Sequence, residues 1–470
     1  MGETVSAVTP AFNRSLRIES RADHLTGDPG AVLLREILES SGIIGWARDR
    51  LKDGRRPEDV THDLASLLRT SILLAAQGWR DHDDADALRN DPAFRLGVSS
   101  SAGLTPLCGP GLASQPTLSR FTAMMAEPGN LKVLRETVLE LAGRGIRAER
   151  EGKRAKSLTL DVDSLPIEVH GHQPKAEWNG HYNARIYHPL VTSIAETGDM
   201  LDARLRAGNV GTAEGALDVI LDVVDRARTS LCNVAMVRID AGFPSAGLLA
   251  GLEARGIDYV SRLRDNAVLD RLAEPCMKRP RGRRPLKPRM WLYELDYQAG
   301  SWDRSRRVIL VVKEREGDLL LDRFFLVTSL TLKQISRQDV LGHYRERGKA
   351  EGHMGELKDV LAPALSSTNR PKSHWRGHKP QTSTVAVDAF GCNEVRLLIS
   401  LLAYQVMHIA RRAMAKATGT GWSLRRLRER VLRAGARLTV SGRRMTMILS
   451  DAAAPFWAAI WPRITSLHWP

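Results

Sequence analysis

Between Tyr344 and Lys358 the chain reads YRERGKAEGHMGELK, and this stretch constrains the reading of everything around it. Wound as one α-helix at about 100° per residue, it brings Arg347, Glu351 and Lys358 within about 60° of Tyr344 on the helical wheel, while Glu346 and Glu356 point elsewhere. A phenol, a guanidinium, a carboxylate and an ammonium on one stripe are not the apolar stripe by which a helix packs. Spacing alone leaves two readings open. The stripe is an active-site wall suited to phosphates and a metal ion, or it is the face of a solvated charged helix. Gly348, Gly352 and Gly355 each weaken such a helix by about 1 kcal/mol relative to Ala; they admit close backbone approach of DNA or are simply tolerated.

The rest of the composition narrows the partners. Sixty-nine Lys and Arg against 54 Asp and Glu give a formal charge of +15, which favours a polyanion such as DNA or RNA over the weaker alternative of a membrane surface. At 470 residues the chain has room for two or three domains. It contains no run of about 18 or more apolar residues, and MGETVSAVTPAFNRSLRIES lacks the apolar core of a signal peptide, so a soluble, intracellular protein is expected. Cys108, Cys232, Cys276 and Cys392 are far apart with no C-x-x-C pair, which suggests neither a disulfide framework nor a zinc ribbon.

Residues 1–30 read as a polar, flexible arm, and residues 31–150 carry helical periodicity in AVLLREILESSGIIGWARDRL, DLASLLRTSILLAAQGW and NLKVLRETVLELAGRGI. The acidic DHDDADALRNDPAF, with His82, reads as a capped loop or short helix rather than a metal site. Ser114 and Pro116 mark a helix start, compatible with a helix that touches DNA. At Ser157 the period changes. SLTLDVDSL alternates, with Asp161 and Asp163 on one face of a strand. Two strands joined at Thr197-Gly198, a helix, the strand NVAMVRID ending in Asp240, a second helix and the strand IDYVSRL follow in a mixed α/β order. A basic linker, KRPRGRRPLKPR, then leads into a β-rich run, and a Ser/Thr/Pro/His-rich loop precedes the apolar helix NEVRLLISLLAYQVMHIARRAM, whose Asn393 and Glu394 read as caps. Residues 413–470 are basic.

Asp163 and Asp240 lie at or near the ends of apolar strands, and Glu351 sits on a later helix. Oxygen ligands from three elements suit Mg²⁺, which binds a few carboxylates together with substrate phosphates. Two such ions serve phosphodiester chemistry by assisting both the attacking and the leaving oxygen. The acids would hold the metal and the basic residues the nucleic acid. His170, His172, His181 and His188 are dense but lack a Cys partner and read as polar loop residues or DNA contacts. Trp291 and Trp302 read as packing groups, with stacking on an unpaired base as the other use of such rings.

Tyr344, Arg347, Glu351 and Lys358 match Y-x2-R-x3-E-x6-K, and the chain thereby resembles the DDE transposases of bacterial insertion sequences. LDVDS around Asp163, NGHYNARIYHPL, TGDMLDARLRAGN, RIDAGF around Asp240 and LASQPTLSRF extend the resemblance, over most of the chain, to the insertion-sequence group numbered 1380. The resemblance implies an α/β fold: a ribonuclease H-like mixed-sheet catalytic core interrupted by a β-rich insertion, with a helical N-terminal region. Its division would be a DNA-binding region at 31–150, core segments at 155–263 and 336–412, the insertion at 264–335, covering the active site, and a basic C-terminal region at 413–470. It implies that Asp163, Asp240 and Glu351 form a catalytic, metal-binding triad for Mg²⁺, or Mn²⁺, and that Tyr344, Arg347 and Lys358 contact phosphates. Periodicity does not choose between Asp161 and Asp163; the family's aspartate precedes a small hydroxyl residue, as Asp163 precedes Ser164, although Leu165 departs from the Thr often found next. The activity implied is cleavage at the element's terminal inverted repeats and strand transfer into target DNA, by a homodimer in a synaptic complex. The setting implied is the bacterial cytoplasm, nucleoid-associated when bound to DNA, without membrane attachment. A catalytically inactive DNA-binding repressor and a stand-alone metal-dependent nuclease are the alternatives.

Overall fold

A computed structural model of the chain describes residues 8–18, 24–150, 155–279, 287–316, 319–368, 373–376, 379–382 and 388–469. Most of the basic linker, part of the Ser/Thr/Pro/His-rich loop and part of the N-terminal arm lie outside the described residues.

The helical periodicity of the first third yields, among others, α1 (Gly30–Ser40), α2 (Leu64–Gln77), α3 (Gln115–Met125) and α4 (Pro128–Glu149). Asp63 caps α2 through the Ser66 amide, and Ser114 precedes α3 with a proline in the first turn, so both starts follow from local chemistry.

Where the period switches to two, a central sheet begins. Its strands are β1 (Ser157–Ser164), β2 (Leu190–Ile194), β3 (Met200–Arg204), β4 (Asn233–Ile239), β5 (Asp258–Leu263), β6 (Arg289–Tyr297), β7 (Arg306–Glu314) and β8 (Asp322–Thr328). Their spatial order is β3-β2-β1-β4-β5-β8-β7-β6. The first three form an antiparallel meander, and β4 and β5 run parallel to β1. That arrangement is the ribonuclease H-like core. The β-rich run is continuous with it, because β8 pairs antiparallel with β5 and carries β7 and β6 outward as an extension of the same sheet.

Helices cover both faces. Leu158, Leu160 and Val162 of β1 share an apolar core with α5 (Ala216–Ser230) and α6 (Ala246–Ala254). The opposite face, which bears Asp161 and Asp163, meets α7 (Arg337–Arg345) and α8 (Gly348–Glu356). Behind them α9 (Ala389–Thr418) lies in the core shared with α1, α2, α4 and the helix Ala454–Thr465. Asn393 and Glu394 are not its caps. Asp388 caps it, accepting from the Gly391 amide, while buried Asn393 donates to Tyr187 and accepts from Ser367 and Glu394 pairs with Arg135. Trp302 is a core residue, packed edge-on against Tyr297.

The meander's turn also touches the later helices. Gly198 has φ +77°, and a Cβ there would stand 2.4 Å from the His353 ring of α8. We expect Gly198→Ala to lower stability by about 1–3 kcal/mol in urea unfolding, and Ala at the open position Gly352 to leave it unchanged or higher.

Candidate active site

Two neighbouring parallel strands end together. β1 and β4 are in register with Asp161 opposite Arg238 and Val162 opposite Ile239, so Asp163 and Asp240 emerge side by side at the carboxyl ends of adjacent strands. In open α/β sheets this end of the sheet, where the strand order reverses, is the usual place for a site.

One pleat below, Asp161 and Arg238 are both buried. The guanidinium donates Nε and Nη2 to the two Asp161 oxygens at 2.6 Å each. Its Nη1 donates to the His343 carbonyl at 3.0 Å and to Glu346 at 3.3 Å. Asp161 therefore has both oxygens committed to a structural partner. This network escaped the sequence reading, although a signal was present: an Arg in one apolar strand and an Asp in another, each two residues before a site carboxylate.

The stretch from Tyr344 to Lys358 is not one helix. α7 ends at Arg345, the chain turns at Glu346 and Arg347, α8 begins at Gly348, and Leu357–Leu361 winds as a π-helix. At the break the Arg347 amide donates to Tyr344 O, three residues back, at 3.1 Å. This places the Arg347 side chain, which is buried, between two carboxylates: Nη2 contacts Asp163 and Nη1 donates to Glu351 at 3.0 Å. The Tyr344 hydroxyl donates to Asp240 at 3.3 Å. Asp163, Asp240, Tyr344, Arg347 and Glu351 are thus brought together. Lys358, on the π-helical turn, has no ion-pair partner among the described residues and does not line the recess beside Glu351.

Electrostatics follow from burial. Desolvation raises the Asp163 carboxyl from 3.8 to about 6, against the pull of Arg347 and with a further push from Asp240 and Glu351. Burial and the Asp240 charge push the Tyr344 phenol up to about 12, so it is a hydrogen-bond donor at neutral pH. The donors are carboxylate oxygens without Cys or His, a set that fits a hard divalent cation in kind. Among the described residues no three His, Cys, Asp or Glu side chains are gathered closely enough to hold an ion, and the Arg347 guanidinium is the cation that links Asp163 and Glu351.

A family model described as "Transposase DDE domain group 1" matches residues 8–467. The chain belongs to that family. It is a DDE transposase, a class that acts in transposition and generally uses divalent metals. None of the curated proteins compared matches the chain. Among solved structures it is similar to a piggyBac transposase in a synaptic complex with hairpin DNA, at 12% identity over 86% of this chain and 79% of that one, with a TM-score of 0.43. No helix among the transposase's described residues is long and apolar enough to cross a membrane.

Two stability measurements test these electrostatics. Arg238→Ala is expected to destabilise by about 3–5 kcal/mol, because it leaves Asp161 buried and uncompensated; the apolar pair replacement Asp161→Leu with Arg238→Met should recover most of that loss in denaturant unfolding. For Asp163 the folded protein holds a proton between pH 3.8 and about 6 that the unfolded chain has released, so its contribution to stability falls as pH rises through that window. Asp163→Asn should remove that slope and be more stable than wild type above about pH 6, by on the order of 2 kcal/mol, with the advantage gone near pH 4.

Proposed function

We propose that this transposase cleaves DNA at the terminal inverted repeats of a bacterial insertion sequence and joins the freed 3′ hydroxyl to target DNA, with Asp163, Asp240 and Glu351 as the catalytic triad. The observation that carries the proposal is the meeting of Asp163 and Asp240, side by side at the ends of adjacent strands, with Tyr344 of α7, Arg347 of the turn and Glu351 of α8. The commitment of Asp161 to Arg238 supports Asp163 as the aspartate of β1 that serves the reaction.

Asp163, Asp240 and Glu351 would hold Mg²⁺, with Mn²⁺ as the substitute. When bound, such ions lower the pKa of an attacking water or hydroxyl and stabilise charge on the phosphoryl and leaving oxygens. Around them the chain's own groups bind and orient. Arg347 presents a planar, permanently charged fork suited to a phosphate's oxygens. Tyr344, held protonated, offers a neutral donor to a phosphate oxygen once DNA displaces it from Asp240. Lys358 serves as a longer-range point charge toward the same backbone. In the helical segment at 31–150, α3 with Ser119 and Arg120 is a candidate for contact with the terminal repeat, and two copies of the chain would hold the two ends together. A protein with this reaction works in the bacterial cytoplasm, on the nucleoid.

The test uses DNA carrying the inverted repeats that flank the gene, both intact and pre-cut, with Mg²⁺. Wild type should cleave the intact ends and join the pre-cut ones. Asp240→Ala and Glu351→Ala should each lower both activities by more than the roughly 10–100-fold typical of losing an outer-shell partner, while leaving DNA binding in place. Cleavage without joining would indicate a stand-alone nuclease. Binding without cleavage would indicate a repressor-like protein, and full activity in either variant would refute the triad.

A further inference from the structure

Arginines in and around the central sheet are, as a rule, paired. Arg238 holds Asp161, Arg306 holds Glu253, Arg307 holds Glu294, Arg323 contacts Asp270, and Arg347 holds Asp163 and Glu351. Beside Glu351 the rule fails. A recess of about 400 Å³ is lined by Arg262, Lys313, Arg315, Arg345 and Arg347 against only Asp322 and Glu351. Among the described residues none of Arg262, Lys313, Arg315 and Arg345 has a carboxylate within ion-pair distance. Lys313 and Arg262 lie over the ring of largely buried Phe324, 4.4 and 5.3 Å from its centroid, and Arg345 donates to the Met290 sulfur at 3.2 Å. Burial, against the pull of Asp322 and with a further push from Arg315, Arg345 and Arg262, holds the Lys313 ammonium below its usual pKa.

Half-buried Lys313 and exposed Arg262, Arg315 and Arg345 thus face one another across an open hollow without an ion-paired carboxylate among the described residues. Their repulsion is relieved when an anion enters. Phe324 gives the hollow an apolar floor with cations over its ring, and the wall it shares with Arg347 and Glu351 makes it continuous with the triad. We propose that this recess is a second phosphate site: Arg262, Lys313, Arg315 and Arg345 grip a backbone phosphodiester of the bound DNA that neighbours the one at the carboxylates, irrespective of base sequence. The proposal rests on the reading of the adjoining site as one that binds DNA, and it assigns the path of the strand from Glu351 across Phe324 toward the end of the β7–β8 pair at Lys313 and Asp322.

Binding of a short blunt duplex, measured in EDTA over a range of KCl concentrations, tests it without any cleavage step. Each phosphate that the protein no longer neutralises lowers the slope of log K against log salt by about 0.9. The Arg262→Gln, Lys313→Gln, Arg345→Gln triple variant should lower that slope by about 1–2 and weaken binding roughly tenfold or more near physiological salt. The charge-preserving triple Arg262→Lys, Lys313→Arg, Arg345→Lys should keep the wild-type slope. Should the first triple fail to fold, single Arg345→Gln, at an exposed position, carries the test, with an expected fall in slope of about 1. An unchanged slope in the Gln variants would overturn the site, as would failure of wild type to bind the duplex. A lowered slope in a protein that never cleaves its terminal repeats would uphold the recess and sink the transposition chemistry.

Discussion

The ion pair between Asp161 and Arg238 is the constraint on which the active-site geometry depends. Removing two charges from water costs several kcal/mol for each, and the cost is met only when geometry is good and every remaining polar atom is bonded. Here the guanidinium satisfies both Asp161 oxygens and still reaches the His343 carbonyl and Glu346. One side chain therefore ties together β1, β4, the end of α7 and the turn before α8, next to Asp163, Asp240 and Glu351. Well-packed apolar residues would serve stability as well or better, so what the pair contributes is specificity. A slip of one residue between β1 and β4 would set Arg238 against Leu160 or Val162, whose side chains belong to the apolar core of the opposite face. Neither single-residue slip satisfies the charge, and the observed register is the one that aligns the two aspartates.

The break at Glu346 and Arg347 follows from the same packing. Val340 and Leu341 of α7 enter a cluster with Val260, Ile309, Val311 and Leu326 of the sheet, while Ala350 and Met354 of α8 enter the core around α9. Two helical segments seeking different apolar partners need not share an axis. The turn between them lets Arg347 point down to Asp163 while Glu351, its neighbour one turn on, remains largely exposed. A second network braces α8 from behind. Glu356 contacts Arg411 and accepts from the Leu424 amide at 2.8 Å, and the Tyr404 hydroxyl donates to Gly198 O and lies 3.2 Å from the His353 ring nitrogen. The signature segment is thus held on one side by the sheet and on the other by α9 and the turn of the meander.

Strand alternation at 157–164, the apolar strand ending at Asp240 and the Tyr-Arg-Glu-Lys spacing made the strands and the candidate residues legible in the sequence, because each depends on local periodicity or short spacing, whereas that Asp163 and Asp240 would meet Glu351 was implied only by the resemblance to a family. The helical wheel does not describe the backbone that carries Lys358, for a physical reason. It assumes one straight helix, and the break and the π-helical turn are set by tertiary partners that local spacing does not encode. Asn393 and Glu394 misled in the same way: polar residues near a helix start resemble caps, yet a helix buried on nearly every side also needs polar groups inside it to bond Tyr187 and Arg135. The continuity of the β-rich run with the core sheet was beyond reach for another reason, since antiparallel pairing of β8 with β5 is a long-range contact with no sequence period of its own.

Charge, read as a sum, pointed to a polyanion; read residue by residue, it separates into two populations. Most arginines of the core are structural. They lock strands and helices to carboxylates that lie far away in sequence, as Arg412 does with Asp199 and Glu149. Such pairs are screened little by salt because they are partly or wholly out of water. The cations around Phe324 are of the other kind, gathered with only Asp322 and Glu351 near them and no ion-paired carboxylate among the described residues, so they add to the field beside Glu351. A net charge of +15 therefore says little about where DNA lies. Which cations lack an ion-paired carboxylate is the more specific quantity, and one such group lies beside Glu351, where β7 and β8 meet α7 and the turn before α8.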